Sequence, residues 1–342
     1  MSVNEIVPTD QVQYASTLED GPLPIATEIA PGVWTIPLPF PMQARLKYTL
    51  CYAFIDTDGG VHLVDPGWSD ERSRAALTAE LEHLGPVRTI TVTHQHPDHL
   101  GGVASLQRST GAILQLHRVE QESLHTLVAS LSNPESLFDL WGIPADARAE
   151  LPSRGGEVEV MEHLPENERT LEHGELLEVP GRRIRAIHTP GHTAGHLCLH
   201  DEDNDLFLSG DHVLPVMHPG LGLGSLFDDN QVHAALLSLH ETKQYDSAEV
   251  LPGHEFRFRG LAARCDQLIR HHLRRTHEVA AAVAAHPDAT AWEIAATLTW
   301  TAGWDHLKTT FMVYSGLAQT LMHLELAGDP AALAELEARI AP

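Results

Sequence analysis

The sequence predicts an α+β fold in which a strand-rich part is followed by a helical tail. Three observations support this prediction. Apolar runs rich in β-branched residues recur from about residue 29 to residue 254, and turn residues separate them. Amphipathic helical segments lie between some of these strands. From about residue 261 helical periodicity replaces the strand pattern, and 342 residues suffice for one large domain and a small one.

The first part of the chain is expected to form a meander. Residues 1–26 are polar and rich in acids and prolines, so we expect a loosely held N-terminal arm. The expected strands are Gly32–Leu38, Tyr48–Asp56 and Val61–Asp65. A hairpin turn signal, Asp58–Gly60, separates the last two. An amphipathic helix follows over Ser69–His83, with Ser69 as its expected N-cap.

A cluster of metal-binding residue types follows the next strand, Val87–Val92. His94, His96, Asp98 and His99 place three imidazoles and a carboxylate within six residues. Neutral imidazole and carboxylate are good ligands for zinc and other divalent first-row ions. The chain has 24 histidines, so an isolated one indicates little. Four candidate ligands at this spacing, on a loop that follows a strand, predict a metal site.

The middle of the chain contains a helical insertion, over about residues 117–165, followed by further strands. The insertion carries Phe138 and Trp141, which either line an apolar substrate pocket under a lid or pack the insertion onto the sheets; we weigh these alternatives equally. The later expected strands are Arg169–Val179, Arg182–His188, Gly195–His200, Asp205–Leu208 and Glu249–Leu251. A Gly-rich rim loop, Pro219–Gly224, and a helix over Gln231–Gln244 complete this part.

Composition restricts the classes of partner. The formal net charge of −25 repels phosphate backbones, so nucleic acid is not expected as a partner. Three cysteines without a C-x-x-C pair suggest reduced thiols and a cytoplasmic protein. No apolar run is long enough to cross a membrane, and the first residues lack the apolar segment of a secretory signal.

The motif His94-x-His96-x-Asp98-His99 resembles the signature of the metallo-β-lactamase-fold hydrolases. Three later motifs resemble the other ligand positions of that family, in the expected order. They are Thr189–His196 with His192 as the ligand, Leu208–Asp211 with Asp211, and Leu251–His254 with His254. The Asp-x-Gly at Asp65 also resembles the family, which implies a supporting role for Asp65.

The resemblance implies a four-layer αββα sandwich as the catalytic domain, over residues 27–260. It also implies two divalent metal ions, with zinc as the first expectation and iron or manganese as alternatives. His94, His96 and His192 would hold one ion, Asp98, His99 and His254 the other, and Asp211 would bridge both. A hydroxide between the ions would attack the substrate carbonyl, and Asp98 would help to orient it. His212, beside Asp211, is a further candidate for the substrate pocket.

The tail over residues 261–342 resembles the small winged-helix-like C-terminal domain of some members of this fold. Asp211 points to the glyoxalase II-like, lactonase and nuclease branches of the fold. The apolar insertion favours a thioester, ester or lactone substrate with an apolar acyl group. One alternative is a phosphodiesterase or endoribonuclease of the same fold. Another is that the C-terminal domain recruits a partner or forms a homo-oligomer.

Overall fold

The computed structural model describes residues 5–19, 21–41, 46–124, 135–152, 168–222 and 230–341. Within them, strands β1 to β13 are Val7–Pro8, Thr27–Ala30, Val33–Pro39, Tyr48–Ile55, Val61–Val64, Val87–Thr91, Ile113–His117, Glu168–Leu171, Ile184–His188, Leu197–Asp201, Leu206–Gly210, Glu249–Pro252 and Phe258–Arg259. Helices α1 to α12 are Gln11–Leu18, Glu71–Leu84, Pro97–Leu100, Val103–Thr110, Glu135–Trp141, Ala145–Arg148, Gln231–Thr242, Leu261–Ala285, Ala291–Thr297, Trp304–Leu307, Met312–Ala327 and Pro330–Ile340. Residues 118–124 are also helical.

The described strands form two sheets. One has seven strands in the order β2-β3-β4-β5-β6-β7-β8, and the other has six in the order β1-β13-β12-β11-β10-β9. The pairs β5–β6 and β11–β12 are parallel, whereas the meander β2–β5 is antiparallel. Both sheets are therefore mixed, and each has parallel strands whose carboxyl ends meet at one edge.

Side-chain alternation in β4 shows how the layers are stacked. Leu50, Tyr52 and Phe54 face the six-stranded sheet, in an apolar cluster that includes Leu197 and Leu208. The intervening Cys51 and Ala53 belong to a second cluster, which packs α2 and α4 against the outer face of the seven-stranded sheet. A third cluster packs α7 and α8 against the outer face of the other sheet. The predicted αββα sandwich is thus confirmed.

The N-terminal arm is more ordered than the sequence suggested, and the expectation of a loosely held arm is wrong. β1 pairs with β13, and α1 buries Gln13 and Ser16. Asp10 caps α1 and also accepts a hydrogen bond from Arg257 at 3.0 Å. The polar composition concealed this arrangement because the arm is held by strand pairing, by the ion pair with Arg257 and by single apolar contacts of Ile6 and Tyr14 with the core, rather than by a continuous apolar stripe.

Two further expectations need correction. Asp70, not Ser69, caps α2, because the Asp70 carboxylate accepts hydrogen bonds from the backbone N–H groups of Arg72 and Ser73. The segment predicted as one strand over 169–179 is divided between the sheets: β8 extends the first sheet beside β7, whereas Leu176 pairs with Arg185 on β9 of the second sheet. Local pattern predicts a strand, but it does not predict which sheet will accept it.

The tail over 261–341 contains helices and turns without a strand, so its helical character is confirmed and a β-hairpin wing is absent from these residues. The tail packs partly on itself, since Val279, Ile294 and Leu298 form an apolar cluster within it, and partly on the sandwich. Leu261, Cys265 and Leu268 on α8 pack in the same cluster as Val232 and Leu236 on α7. Among the described residues, no helix combines the length and apolar character that crossing a bilayer requires.

Candidate metal centre

Four loops that follow strands bring the candidate ligands to one edge of the sandwich. β6 ends at Thr91, three residues before His94, and the short helix α3 carries Asp98 and His99. β11 ends one residue before Asp211 and β12 ends two residues before His254. Because β11 and β12 are parallel, their carboxyl ends lie side by side.

Three imidazoles form the first group of ligand atoms. His94 Nε2 lies 2.9 Å from His96 Nδ1, and His192 Nε2 lies 3.0 Å from the same Nδ1 atom. All three candidate ligand atoms lie within 4.8 Å of one another. An ion at this group would have three nitrogen ligands, which zinc accepts readily.

The second group contains two imidazoles and a carboxylate. His254 Nε2 lies 3.0 Å from Asp98 Oδ2 and 3.3 Å from His99 Nε2. His99 Nε2 lies 3.7 Å from Asp98 Oδ2. The group is buried, and its mixture of nitrogen and oxygen suits zinc, iron or manganese.

Asp211 lies between the two groups. Its Oδ2 atom is 3.7 Å from His192 Nε2 of the first group and 3.5 Å from His254 Nε2 of the second. Its Oδ1 atom is buried and has no hydrogen-bond partner among the described residues. A buried carboxylate oxygen without a partner is costly, and a cation at each side would remove that cost. The donor set therefore fits two divalent ions with Asp211 between them.

Gly253 allows Asp211 and His99 to lie close to the backbone of the loop that follows β12. A Cβ atom at this position would lie 2.5 Å from Asp211 Oδ1 and 2.7 Å from His99 Cε1. Any side chain here would therefore push the Asp211 carboxylate or the His99 ring out of place. This explains the glycine of the Leu251–His254 motif by packing alone.

Asp65 orients ligands of both groups. It follows β5, and its Oδ2 atom lies 2.8 Å from His99 Nδ1. The same oxygen accepts a hydrogen bond from Thr93 Oγ1 at 2.7 Å, so the Thr93 oxygen is free to accept one from His94 Nδ1 at 3.0 Å. Both histidines thus carry their proton on Nδ1 and present Nε2 to the site. The supporting role that the resemblance implied for Asp65 agrees with these contacts.

Backbone carbonyls orient two more ligands. His192 Nδ1 donates to Gly220 O at 2.6 Å, and His254 Nδ1 donates to Tyr48 O at 3.0 Å. Because a carbonyl oxygen only accepts, Nδ1 of each ring carries the proton that it donates, and Nε2 is the ring atom that faces the candidate site. His196 is not a member of either group; its Nε2 accepts from the backbone N–H of Asp211 at 3.2 Å.

The charge states differ between the two groups. Burial lowers the pKa of His94 well below its usual range, and the charge of His99 adds to this effect. Burial, followed by the charge of His192, lowers the pKa of His96 to about 3. Burial acts in the same direction on His254, but Asp211 and Asp98 outweigh it and raise the pKa of His254 well above its usual value. A proton therefore occupies the second group in the metal-free protein, and an ion would replace it.

Sequence reasoning missed Glu120. Its carboxylate is fully buried and accepts hydrogen bonds from the backbone N–H of Gln95 at 2.7 Å, from Thr193 Oγ1 at 3.0 Å and from the backbone N–H of Gly195 at 2.9 Å. Burial raises the pKa of Glu120 to about 7 although these three hydrogen bonds oppose the rise. An acid one turn after a strand gave no signal, because its partners are distant in sequence.

Two aromatic side chains stand beside the second group. The Phe40 ring lies 6.2 Å from the His254 ring and 5.3 Å from the Trp68 ring. Both Phe40 and Trp68 are partly exposed. They provide an apolar surface next to the candidate metal centre, and neither was singled out in the sequence.

The structure places the three pocket candidates away from open surface. Phe138 and Trp141 pack in a cluster with Val313, Tyr314 and other residues of the C-terminal helices, so they are packing residues, but against the tail rather than against the sheets as expected. His212 is buried, and its Nε2 lies 3.1 Å from Thr242 Oγ1 on α7. Parts of the predicted insertion and rim loop, at 125–134, 153–167 and 223–229, lie outside the described residues.

Comparisons with solved structures agree with this architecture. A beta-lactamase domain protein from Burkholderia ambifaria matches with a TM-score of 0.73 and 27% identity, over 89% of each chain. A metallo-beta-lactamase family protein from Thermus thermophilus matches with a TM-score of 0.68 and 30% identity, over 87% of this chain and 93% of that one. Both matches therefore cover most of the chain.

Sequence relatives are more distant. The chain is 29% identical to the lactamase-like protein adaB of Aspergillus niger over 224 residues, which are 65% of this chain and 54% of the relative. It is 28% identical to a hydroxyacylglutathione hydrolase of Cereibacter sphaeroides over 178 residues, 52% of this chain and 51% of the relative. It is 23% identical to an atrochrysone carboxyl ACP thioesterase of Cryptosporiopsis sp. over 226 residues, 66% of this chain and 52% of the relative. The chain thus spans about half the length of these relatives.

A family model matches the part of the chain that contains every candidate ligand. The model is that of the metallo-beta-lactamase superfamily, and it matches residues 45–254. These residues include most of both sheets and the four ligand loops. The chain therefore belongs to the metallo-beta-lactamase superfamily.

Proposed function

We propose that this protein is a binuclear metal-dependent hydrolase that cleaves thioesters, or the related bonds of esters and lactones. One observation carries the proposal: two groups of three ligand atoms flank a single buried carboxylate, Asp211, whose Oδ1 atom has no hydrogen-bond partner among the described residues. We propose zinc as the ion, with iron or manganese as alternatives that the same nitrogen and oxygen ligands accept.

The residues of the site have distinct roles in this proposal. Two divalent ions, when bound, lower the pKa of water towards neutrality and polarise a carbonyl group. Asp98 is a carboxylate there, since His99 and a hydrogen bond from His254 lower its pKa to about 2 although burial opposes this. It can therefore orient a water molecule by accepting its proton in a hydrogen bond. His94, His96 and His192 remain neutral and keep their ligand electron pairs.

The chain's thiols are not candidates for the nucleophile. Cys51, Cys198 and Cys265 are fully buried, and burial raises the pKa of Cys198 to about 12. A buried, protonated thiol is a poor nucleophile. Hydrolysis by an activated water is therefore the chemistry that this site supports.

The surroundings of the site support an acyl substrate with an apolar part. Phe40 and Trp68 provide an apolar surface beside the second group. One relative is named a thioesterase and another a hydroxyacylglutathione hydrolase, which points in the same direction. The net charge of −25 disfavours a polyanionic substrate, so we propose a small acyl substrate rather than nucleic acid.

The proposal is tested by a paired assay on zinc-loaded protein. Acyl thioesters and lactones of increasing chain length are assayed beside a single-stranded RNA and a phosphodiester reporter. We expect turnover of thioesters or lactones that is lost with a chelator. Cleavage of the RNA or the reporter alone would replace the proposal with the phosphodiesterase alternative.

A variant pair tests the apolar surface separately. Phe40→Ala removes a ring beside His254, so we expect KM to rise more for long acyl chains than for short ones. Phe311→Ala removes an exposed ring at the start of α11 and is the matched control. Equal KM values for Phe40→Ala and the control at every chain length would show that Phe40 does not contact the acyl group.

A further inference from the structure

Glu120 lies where the seven-stranded sheet passes into the insertion. It follows β7 by three residues and belongs to the helical residues 118–124. Its side chain is completely buried, which is rare for a carboxylate without a compensating partner. Compensation comes from three hydrogen bonds, all of which arrive from the loops that carry the first group of ligands.

The two loops come from different sheets. Oε1 of Glu120 accepts from the backbone N–H of Gln95, which lies between His94 and His96. Oε2 accepts from Thr193 Oγ1 and from the backbone N–H of Gly195, just after His192. The first loop follows a strand of the seven-stranded sheet and the second follows a strand of the six-stranded sheet. One carboxylate therefore fixes the separation of two ligand loops that follow strands of different sheets.

Two packing contacts make this link rigid. A Cβ atom at Gly195 would collide with the backbone N and Cα atoms of Glu120, so the loop and the helix start are in close contact. Ser123, one turn later, donates from Oγ to Gln95 Oε1 at 3.3 Å. The first turn of the insertion therefore packs directly on both loops of the first group.

The second group is oriented by other residues. Asp65 lies against His99, and the carbonyl of Tyr48 accepts from His254. The three groups that donate to Glu120 belong instead to the first two loops, at Gln95, Thr193 and Gly195. Loss of Glu120 should consequently weaken metal binding at the first group more than at the second.

We propose that Glu120 is a positioning residue for the first metal ion, which holds His96 and His192 at ligand distance and couples the insertion to the metal centre. The proposal rests on the binuclear site of the proposed function. Outer partners of metal ligands typically contribute about 10- to 100-fold to metal affinity. We expect an effect of that size at the first ion.

The test measures zinc affinity by competition with a chelating indicator in two single-site backgrounds. His99→Ala removes a ligand of the second group and leaves the first, and His96→Ala does the reverse. Glu120→Gln is introduced into each, because it keeps the size of the side chain but places an amide N–H against backbone donors. Glu122→Gln, an exposed residue of the same helical turn, is the matched control.

In the His99→Ala background we expect Glu120→Gln to weaken zinc binding by about 10-fold or more, and in the His96→Ala background by less than about 3-fold. Equal losses in both backgrounds would mean a general structural role, and no loss in either would remove the proposal. Failure of the binuclear site looks different, because the protein with Glu120 intact would then bind no zinc, and failure of the proposed substrate class shows only in the paired assay.

A further variant pair covers the case in which Glu120→Gln does not fold, and hydrogen exchange adds a test where that variant folds. Thr193→Val removes one donor to Oε2, whereas Thr193→Ser keeps it. We expect weaker binding at the first group for Thr193→Val alone, and equal affinities for the two variants would overturn the proposal. In metal-free protein, amide hydrogen exchange at Gln95 and Gly195 should be slow with Glu120 and faster with Glu120→Gln; unchanged exchange would contradict the link.

Discussion

Asp65 shows how one residue can orient side chains of two candidate ligand groups. It has a positive φ of 55°, a conformation that aspartate tolerates better than most residues. That conformation aims its carboxylate at Thr93 and His99, which lie on the next loop of the same sheet. Asp65 thereby sets the tautomer of His99 directly and that of His94 through Thr93.

The substitution Asp65→Asn tests this dual role. An amide has only one acceptor oxygen, so it cannot accept from the backbone N–H of Thr93 on one side and from Thr93 Oγ1 and His99 Nδ1 on the other. We therefore expect the affinity of both ions to fall by about 10-fold or more. Zinc titration measures the affinity of each ion. Asp56→Asn is the control, because Asp56 also pairs with a buried histidine, His62, at 3.1 Å but lies at the opposite end of β5. A fall in the affinity of one ion alone would contradict the prediction that Asp65 also orients His94 through Thr93.

Asp211 lies between the groups, so its removal should have the larger effect. We expect Asp211→Ala to abolish hydrolysis and to lower bound zinc well below two ions per chain, because each ion loses a ligand. Elemental analysis after gel filtration measures the metal content. Asp203→Ala, on the exposed β10–β11 hairpin, should keep both ions. Two ions per chain in Asp211→Ala would exclude the bridging position.

At the scale of elements, the insertion and the C-terminal helices depend on each other. Trp141 on α5 is 5% exposed, and its ring lies 6.3 Å from that of Tyr314 on α11. Tyr314 in turn donates from its hydroxyl to Pro152 O at 2.5 Å. The apolar stripe of the insertion is thus covered by the tail, in the described residues.

Trp141→Ala should therefore act on stability more than on substrate binding. Truncation of a buried tryptophan typically costs about 3–5 kcal/mol, and urea denaturation should show a loss near the lower end. We expect KM for acyl substrates to change by less than about 3-fold. Leu140→Ala, at an exposed neighbour, is the control. A large rise in KM with unchanged stability would restore the lid hypothesis.

Two histidines buried between α8 and α11 make this helical part sensitive to acid. His323 is 1% exposed, its Nδ1 lies 2.9 Å from Thr276 Oγ1, and its ring stacks 6.0 Å from that of His272. Burial, with the charge of Arg275, lowers the pKa of His323 to about 3. The unfolded chain therefore binds more protons than the folded one below about pH 6.5, so stability falls as pH falls through this range.

The substitution His323→Gln should reduce this dependence, because an amide keeps a partner for Thr276 but does not titrate. Between about pH 6 and pH 4 we expect the unfolding free energy of the natural protein to fall by about 1.4 kcal/mol per pH unit more than that of the variant. Urea denaturation at several pH values measures the slope. His286→Gln, at an exposed position, should keep the natural slope, and parallel slopes for His323→Gln would contradict the prediction.

At the scale of the whole molecule, the candidate metal centre joins the two sheets. Its ligands come from loops of both sheets, so bound ions stabilise the folded state but not the unfolded one. With free zinc about 100-fold above the dissociation constant, each site should add about 2.7 kcal/mol. We expect a chelator to lower the urea midpoint of the natural protein and to have little effect on Asp211→Ala. Equal midpoints with and without chelator would show that the folded state does not bind zinc.

The family and the layered architecture were predictable from the sequence. The metal-binding motifs are short and local, so they can be recognised in the sequence without knowledge of long-range contacts. They are His94-x-His96-x-Asp98-His99 and the motifs at His192, Asp211 and His254. The αββα arrangement is confirmed, as is the helical character of the tail. The convergence of all seven candidate ligands at one edge follows from a simple rule: each follows a strand end or lies on a loop at that edge.

The sequence did not contain the long-range pairings that organise the rest. The N-terminal arm is held by Arg257 and β13, which lie more than 200 residues away along the chain. The strand Glu168–Leu171 pairs with β7 in the first sheet. Phe40, Trp68 and Glu120 carry no local motif, so composition and periodicity gave them no weight.

The sequence by itself therefore determined which residues are candidate metal ligands and the order in which they follow one another along the chain. It also determined the layered αββα fold that carries them. Only the tertiary structure decided that Asp65 serves both groups, that Glu120 links loops from different sheets, and that Trp141 packs on the tail. The physical reason is that ligand identity is a property of single residues. Orientation and burial depend instead on partners that folding brings together from distant parts of the chain.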